Sequence, residues 1–384
     1  MNLRHDLRIS CIRWLRRHPL VGRAVVLWLF VQGAYGLITV LGIILPIQNV
    51  QIPTGHPALT WDSLLGTWQF WDGGWFAQIA YWGHYTPETA AYFPLYPLLT
   101  RLLEWLPDNY YVAPLAVNRL ALFGTIFGWL KLDEGRDVSL RLFLASPFVF
   151  FLSGMQSDGL FLALLVWVLV ALRHENLYLA MLLSLLAALT RFTGIVLFLP
   201  LAYTAWRLSG DMARAFVISL AAPLGTALYA FYCALTWHQP LIFLTTQSTT
   251  FSHHLLGVWD GIASAWTILT TNPLFSYPVF RFSLDLIPLL IALALLGVSW
   301  HALDQGDWLY CLAIVLIIVL TPSFGQFPDP YLATGRFCLE LVPLWLWVGQ
   351  RLDHYPRVLE HLITFGWICQ TICLFWLFHD GWLV

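Results

Sequence analysis

The chain has few charged residues. Of its 384 residues, 10% are Asp, Glu, Lys or Arg, whereas 59% are hydrophobic, and the mean hydropathy is +0.71. A soluble globule of this length needs more charge on its surface, so the composition excludes a large soluble domain. The formal net charge of -2, without a basic patch of duplex size, also argues against a nucleic-acid partner. A polytopic membrane protein is indicated.

Cysteine is scarce, and no internal repeat is visible. The six cysteines lack the paired spacing of a zinc site or of a disulfide framework, which predicts small packing residues. Many transporters are built from related halves with broken helices at corresponding positions, and this chain has no such pattern. A lipid or solute transporter remains the alternative function, and a noncatalytic membrane scaffold is a third interpretation.

Long apolar segments recur along the chain, and each can supply the roughly 20 residues that a helix needs to cross a bilayer. The first runs from Gly22 to Pro46 and is too long for the core of a signal peptide. Further spans are predicted to begin near Val112, Leu140, Leu160, Leu177, Ile195, Ala215, Leu284, Leu309, Phe337 and Leu359. We therefore expect one all-α integral-membrane domain over residues 1–384, with about eleven transmembrane helices.

The basic residues predict the topology. Residues 1–21 contain arginines with little opposing acid, so the positive-inside rule places this segment in the cytoplasm. Residues 47–111 then form the first outer loop. Trp61, Trp68, Trp71, Trp75, Trp82 and Trp105 crowd this loop, and amphipathic rings favour the boundary between water and lipid. We expect long outer loops with short interfacial helices.

One carboxylate stands in an aromatic part of this loop. The sequence there reads Trp71-Asp72-Gly73-Gly74-Trp75-Phe76 and continues, after an interval, to Phe93-Pro94-Leu95-Tyr96-Pro97. We expect an interfacial helix from about Trp75 to Trp82 with Asp72 near its N-terminal end. An ordinary N-cap that accepts backbone N–H bonds is the structural alternative for Asp72.

These residues resemble a known family pattern. Trp71-Asp72, Ile79-Ala80, Gly83 with Tyr85, and Phe93-Pro94-Leu95-Tyr96-Pro97 are similar to the first outer loop of the PIG-V-type mannosyltransferases, a GT-C membrane family. The resemblance continues downstream in the same order, and covers most of the chain, at Pro147, Phe150-Phe151-Leu152-Ser153, Ser157-Asp158-Gly159-Leu160-Phe161, Ala188-Leu189-Thr190-Arg191, Gly194 and Arg336-Phe337. The chain departs from the pattern where it has Asp158 instead of Glu and Phe337 instead of Tyr.

The resemblance implies a GT-C-like bundle and an inverting glycosyltransferase. It would transfer a sugar, expected to be mannose, from polyprenyl-phosphate-mannose to a hydroxyl of a lipid or glycan acceptor on the non-cytoplasmic face. A well-placed carboxylate can remove the acceptor proton, a role that we assign to Asp72. Trp71, Trp75, Phe93 and Tyr96 would shape the entrance for sugar and lipid. The membrane is the plasma membrane in a bacterium and the endoplasmic reticulum membrane in a eukaryote.

The leaving lipid phosphate needs cationic partners, and Arg191 and Arg336 match the family pattern. Arg191 has no acidic residue three or four positions away, so headgroup snorkelling is its alternative. Glu340 lies one helical turn beyond Arg336, and local pairing is the alternative there. The same spacing predicts that Arg281 pairs with Asp285.

Ser157 and Asp158 begin an apolar run, where a helix N-cap is the ordinary interpretation. The functional alternative places Asp158 opposite Asp72, where it binds acceptor, donor sugar or, together with Asp72, a divalent cation. No cofactor is firmly predicted, because the sequence contains no dedicated metal cage. His254 is a candidate for phosphate or sugar contact. Arg119 falls inside an apolar span and is expected to face a cavity or a partner, with bundle stabilisation favoured over catalysis.

Overall fold

The computed structural model describes residues 18–45, 59–250, 252, 258–324 and 329–378. Within these ranges the secondary structure is helical and contains no β-strand. The all-α class expected from the sequence is confirmed for this part of the chain. His254 lies outside the described residues, as do most of residues 1–21 and the start of the first outer loop.

The first half of the described chain consists mainly of α-helices joined by short segments. They are α1 (Pro19–Ile44), α2 (Trp61–Gly66), α3 (Gly73–Trp82), α4 (Leu95–Arg101), α5 (Asn109–Leu132), α6 (Val138–Leu144), α7 (Asp158–Arg173) and α8 (Leu177–Ala188). Short 3₁₀ helices in this half span Pro87–Ala91 and Val149–Ser153.

The second half continues with a further 3₁₀ helix, Phe192–Leu197, and ends with the long helix α18. Its α-helices are α9 (Phe198–Ser209), α10 (Met212–Ser219), α11 (Ala221–Trp237), α12 (Ile242–Thr249), α13 (Val258–Thr271), α14 (Tyr277–Ser299), α15 (Gln305–Leu320), α16 (Thr334–Phe337), α17 (Val342–Leu352) and α18 (Pro356–Phe378). The 3₁₀ helix Cys338–Glu340 follows α16.

Six helical segments among the described residues are long and apolar enough to cross a membrane. They are Pro19–Ile44, Asn109–Leu132, Phe192–Ser209, Met212–Trp237, Tyr277–Ser299 and Pro356–Phe378. At 1.5 Å per residue, even the shortest reaches about 27 Å, close to the thickness of the hydrocarbon. These segments support a protein embedded in the membrane.

The predicted count of about eleven spans is not confirmed. Predicted spans near Leu140, Leu160, Leu177, Leu309 and Phe337 coincide with α6, α7, α8, α15 and α17, which have between 7 and 16 residues. A helix of 16 residues is about 24 Å long, which is shorter than the hydrocarbon layer. Hydropathy alone does not reveal where such a helix is interrupted.

The 3₁₀ helix Val149–Ser153 is entirely buried and contributes to the main hydrophobic core. Phe151 packs edge-on against Phe70 at 5.5 Å between ring centroids. Nearby, the Met155 amide donates to the Trp68 carbonyl at 3.1 Å, and Gln156 Nε2 donates to the Phe70 carbonyl at 3.1 Å. These contacts fix the segment that precedes Asp72 against the segment that precedes Asp158.

Candidate active site

Charged side chains from distant parts of the chain converge at or near the ends of helices. Asp72 directly precedes α3, Asp158 is the first residue of α7, and Arg191 lies between α8 and the next 3₁₀ helix. Arg336 is in α16, and Glu340 ends the 3₁₀ helix that follows it. We call these five residues the charged cluster.

Arg336 joins the two aspartates of the charged cluster. Its Nη2 lies 2.8 Å from Asp158 Oδ2 and its Nε lies 3.3 Å from Asp158 Oδ1. Its Nη1 lies 3.3 Å from Asp72 Oδ2. A two-point contact of this kind uses the planar fork of the guanidinium and fixes its orientation. The guanidinium therefore occupies the space between the two carboxylates.

Arg191 makes the second set of ion pairs. Its Nη1 is 2.7 Å from Asp158 Oδ1, and its Nε is 3.3 Å from Glu340 Oε1. The local pairing of Arg336 with Glu340, which was the alternative to phosphate binding, is not observed, because Glu340 faces Arg191 instead. Likewise, Arg281 forms its ion pair with Asp329, although the helical spacing favoured Asp285.

Asp72 is the most accessible carboxylate of the cluster. Its side chain is 30% exposed, compared with 6% for Asp158 and 5% for Glu340. A buried carboxylate between two arginines can position them but cannot readily meet a substrate. The geometry therefore separates an accessible acid, Asp72, from a buried anchor, Asp158.

The side chain of Asp72 does not cap the helix that follows it. Asp72 occupies the N-cap position of α3, yet its side chain makes no capping hydrogen bond. Its Oδ1 instead accepts a hydrogen bond from the Tyr92 hydroxyl at 3.2 Å. Trp71, immediately before it, has a φ of 47°, a left-handed conformation that is costly for a bulky residue. Asp72 thus occupies the N-cap position named in the structural alternative, but it does not make the capping hydrogen bond that this alternative requires.

Glycines allow the close approaches that bring the cluster together. A Cβ on Gly159, next to Asp158, would collide with the Leu152 carbonyl oxygen and would lie 2.7 Å from Asn118 Oδ1. A Cβ on Gly335, next to Arg336, would lie 2.5 Å from the Phe148 ring. Real Cβ atoms essentially never approach this closely, so both positions require glycine.

A second buried set of charges supports the segment that contains Arg336. Asp285 Oδ1 accepts a hydrogen bond from the Gly335 amide at 3.2 Å, and Asp329 Oδ1 accepts one from the Tyr331 amide at 3.0 Å. Arg281 pairs with the other oxygen of Asp329. This ion pair is structural support for the chain that leads to α16.

Aromatic rings cover the two arginines of the cluster. The guanidinium of Arg336 lies 5.0 Å from the centroid of Phe151, and that of Arg191 lies 5.4 Å from Phe337 and 6.0 Å from Phe161. A guanidinium over the face of a ring is attracted by its quadrupole. All three phenylalanines belong to the motif segments noted in the sequence.

Burial and neighbouring charges perturb the acidity of the cluster. Burial raises the pKa of Glu340 to about 7, with Asp158 adding to the rise and Arg191 opposing it. Burial alone would lower the pKa of Arg336, but the adjacent Asp158 and Asp72 raise it overall. Burial and the nearby Asp72 carboxylate raise the pKa of Tyr92, so its hydroxyl is a hydrogen-bond donor at neutral pH.

Of the four aromatic residues predicted to bind substrate, two are half-buried and two are buried. Trp71 and Trp75 are half-buried, and Trp75 stacks on Tyr92 at 6.1 Å. Phe93 is buried against Tyr229 and Phe243, which gives it a packing role.

Tyr96 is also fully buried. Its hydroxyl donates to the Pro114 carbonyl at 3.1 Å. Ser157 is buried at the N-cap position of α7 without a side-chain capping bond. The substrate role of these residues remains a prediction.

Sequence reasoning missed two members of this site. Tyr92 directly precedes Phe93 in the quoted loop motif, and that adjacency was a usable signal. Glu340 was noticed only as a partner for Arg336. No group of three or more His, Cys, Asp and Glu residues in the described ranges is arranged to hold a metal ion, and metal dependence remains untested.

Comparison with known proteins adds no family assignment. No family model, no curated protein and no solved structure matches this chain. The resemblance to the PIG-V-type mannosyltransferases therefore depends on the sequence motifs alone.

Proposed function

We propose that this protein is an inverting membrane glycosyltransferase with a GT-C-like bundle of about eleven transmembrane helices. It transfers a sugar, for which mannose is the first candidate, from a polyprenyl-phosphate-linked donor to a hydroxyl of a lipid or glycan acceptor. The reaction takes place on the non-cytoplasmic face, and the N-terminus is cytoplasmic. The host membrane is the plasma membrane in a bacterium or the endoplasmic reticulum membrane in a eukaryote.

The observation that supports this proposal most directly is the placement of Asp72 beside Arg336. An accessible carboxylate lies 3.3 Å from a guanidinium that is itself anchored by a buried aspartate. The separate motifs of the family resemblance thus meet in one place. A base and a phosphate-binding cation are the two groups that transfer from a lipid phosphate requires.

In the proposed step, the oxygen of the acceptor hydroxyl attacks the anomeric carbon of the donor sugar. The hydroxyl proton passes to Asp72 at the same time. The bond between that carbon and the phosphate oxygen breaks, and the electron pair leaves with the polyprenyl phosphate. Attack from the opposite face inverts the configuration. General-base assistance of this kind typically contributes about 10²–10⁴-fold in rate.

The two arginines take different parts in this scheme. Arg336 uses all three nitrogens on carboxylates and mainly fixes the arrangement while lending positive charge. Arg191 uses Nη1 and Nε on Asp158 and Glu340, and its Nη2 makes no hydrogen bond to any described residue. We therefore assign the most direct contact with the donor phosphate to Arg191 Nη2.

The test is transfer of labelled mannose from polyprenyl-phosphate-mannose by the purified protein, with a membrane extract as the acceptor. Asp72→Asn should lower the rate at least 100-fold because the amide cannot accept the proton. Asp62→Asn is the matched control, since Asp62 is an exposed acid in α2 of the same loop. It should retain the wild-type rate.

Equal transfer by Asp72→Asn and wild type would remove Asp72 from the base role. Absence of transfer by the wild type, combined with uptake of labelled donor into sealed vesicles, would favour the transporter alternative. Both measurements use the same preparations, and a thermal melt of each variant tests whether its fold is intact.

A further inference from the structure

A cleft of about 370 Å³ lies between α1, α2 and the first half of α5. Its walls include Gly36, Trp61, Trp68 and Leu115, and Gln32 and Arg119 supply polar groups. The volume is within the range of small-ligand sites in proteins. None of the five residues of the charged cluster lines this cleft.

Among the described residues, Arg119 is the only charged one that lines the cleft. Its guanidinium donates to Gln32 Oε1 and lies 4.7 Å from the centroid of the Trp68 ring. No carboxylate in the described residues lies within ion-pair distance of it. An arginine in an apolar span is costly to bury without an anion or another compensating partner.

Gln32 places an unsatisfied donor beside this guanidinium. Because its Oε1 accepts from Arg119, its Nε2 group is left buried without a hydrogen-bond partner. Orphaned buried donors are uncommon in proteins and cost free energy. An anion in the cleft would accept from Nε2 and from the guanidinium together.

Arg119 and its neighbour Asn118 face different parts of the structure. Asn118 Nδ2 donates to the Gln156 carbonyl at 2.6 Å, so this turn of α5 is level with the segment that leads into Asp158. Adjacent residues of an α-helix point about 100° apart. Asn118 thus faces the segment that leads into Asp158, while Arg119 faces the cleft.

The mouth of the cleft has the character of a lipid contact. Trp61 is 64% exposed, and Gly36 is exposed on α1 with no atom within 4 Å of an added Cβ. Leu64, Leu65 and Val112 form apolar walls. Such a surface suits hydrocarbon, whereas the guanidinium and the amide at the cleft's polar end suit a phosphate group.

We propose that this cleft binds a phosphate-bearing membrane lipid, with the headgroup phosphate on Arg119 and Gln32 Nε2 and the chain leaving past Gly36. The site is separate from the charged cluster, and its existence does not depend on the glycosyltransferase proposal. The lipid would neutralise Arg119 and satisfy Gln32 where the protein offers no acid.

The probe is labelled dioleoyl phosphatidic acid, compared with dioleoylglycerol, which has the same chains without the phosphate. Delipidated protein in detergent is titrated with each lipid, and bound lipid is counted by native mass spectrometry. Wild type should bind one phosphatidic acid at least 10-fold more tightly than dioleoylglycerol. Arg119→Gln should lose this preference.

Glycine variants keep the test independent of the arginine. Gly36→Leu fills the cleft mouth and should weaken phosphatidic acid binding at least 10-fold. Gly33→Leu is the matched control, because Gly33 is one turn away on α1 with equally open surroundings and does not line the cleft. It should bind as the wild type does.

Three results would overturn the proposal. One is unchanged phosphatidic acid binding by folded Arg119→Gln and Gly36→Leu. Another is equal affinity of the wild type for dioleoylglycerol. The third is displacement of the lipid by millimolar inorganic phosphate, which would identify a site for a free anion instead of a lipid.

Discussion

Arg336 and Asp158 form a two-point contact, at 2.8 and 3.3 Å, although 178 positions separate them in the sequence. The same guanidinium reaches Asp72 through Nη1 at 3.3 Å. The position of the accessible carboxylate is thus linked to a buried anchor through one side chain. Each part of this arrangement can be changed separately.

Asp158→Asn should destabilise the protein far more than Asp72→Asn. Removing the buried carboxylate leaves two guanidinium groups without their common anion, a loss of about 3–5 kcal/mol for a broken buried pair. Asp72 is 30% exposed, so its replacement should cost below about 1 kcal/mol. The midpoints of unfolding in dodecyl sulfate measure both. Equal midpoints would show that Asp158 is not the anchor of the cluster.

Arg336→Lys should lower sugar transfer by about 10²–10³-fold, the usual effect of losing one fixed charge donor at a reacting site. An ammonium group lacks the planar fork that contacts Asp158 at two points and Asp72 at a third. Initial transfer rates give the measurement, and Arg101→Lys at the exposed end of α4 is the control. A wild-type rate for Arg336→Lys would mean that positive charge suffices there.

Glu340 should make stability fall as the pH rises. Its pKa is raised to about 7 in the folded protein from an ordinary 4.5, so the folded state holds a proton that the unfolded state has lost between these values. The contribution is fully present below pH 4.5 and is lost by about pH 7, with a magnitude of about 3 kcal/mol. Unfolding midpoints measured from pH 5 to pH 8 report this slope.

Glu340→Gln should flatten that pH profile, because the amide does not titrate. Glu360→Gln, at an exposed position of α18, should leave the slope as in the wild type. If the wild-type and Glu340→Gln profiles run parallel, the proton is held elsewhere.

Gly159→Ala should destabilise the protein by about 1–3 kcal/mol, the usual cost of overpacking. Its Cβ would meet the Leu152 carbonyl oxygen and Asn118 Oδ1, and relief of the clash would shift the adjacent Asp158. Gly33→Ala adds the same methyl group to α1 where no atom lies within 4 Å, and it should not lower stability. Unfolding midpoints and transfer rates of both variants test this, and equal midpoints would refute the close approach.

The sequence pointed to much of the candidate site but not to its pairing. Asp72, Asp158, Arg191 and Arg336 were selected by their motifs, and the structure brings all of them together. No acidic residue lies three or four positions from Arg191 in the sequence. In the structure its partners are Asp158 of α7 and Glu340. Spacing rules describe contacts within one helix and cannot report contacts between helices that are distant in sequence.

The sequence by itself determined that this chain is helical and embedded in a membrane, because low charge and recurrent apolar segments permit few other solutions. It also predicted a helix from about Trp75 to Trp82 with Asp72 near its N-terminal end, and the structure has this helix at Gly73–Trp82. Only the tertiary structure decided which carboxylate of the charged cluster is accessible and which of its two arginines has a nitrogen without a hydrogen bond. It also decided that Arg119 faces a separate cleft. Those properties depend on how helices pack and where they are interrupted, and hydropathy does not record either one.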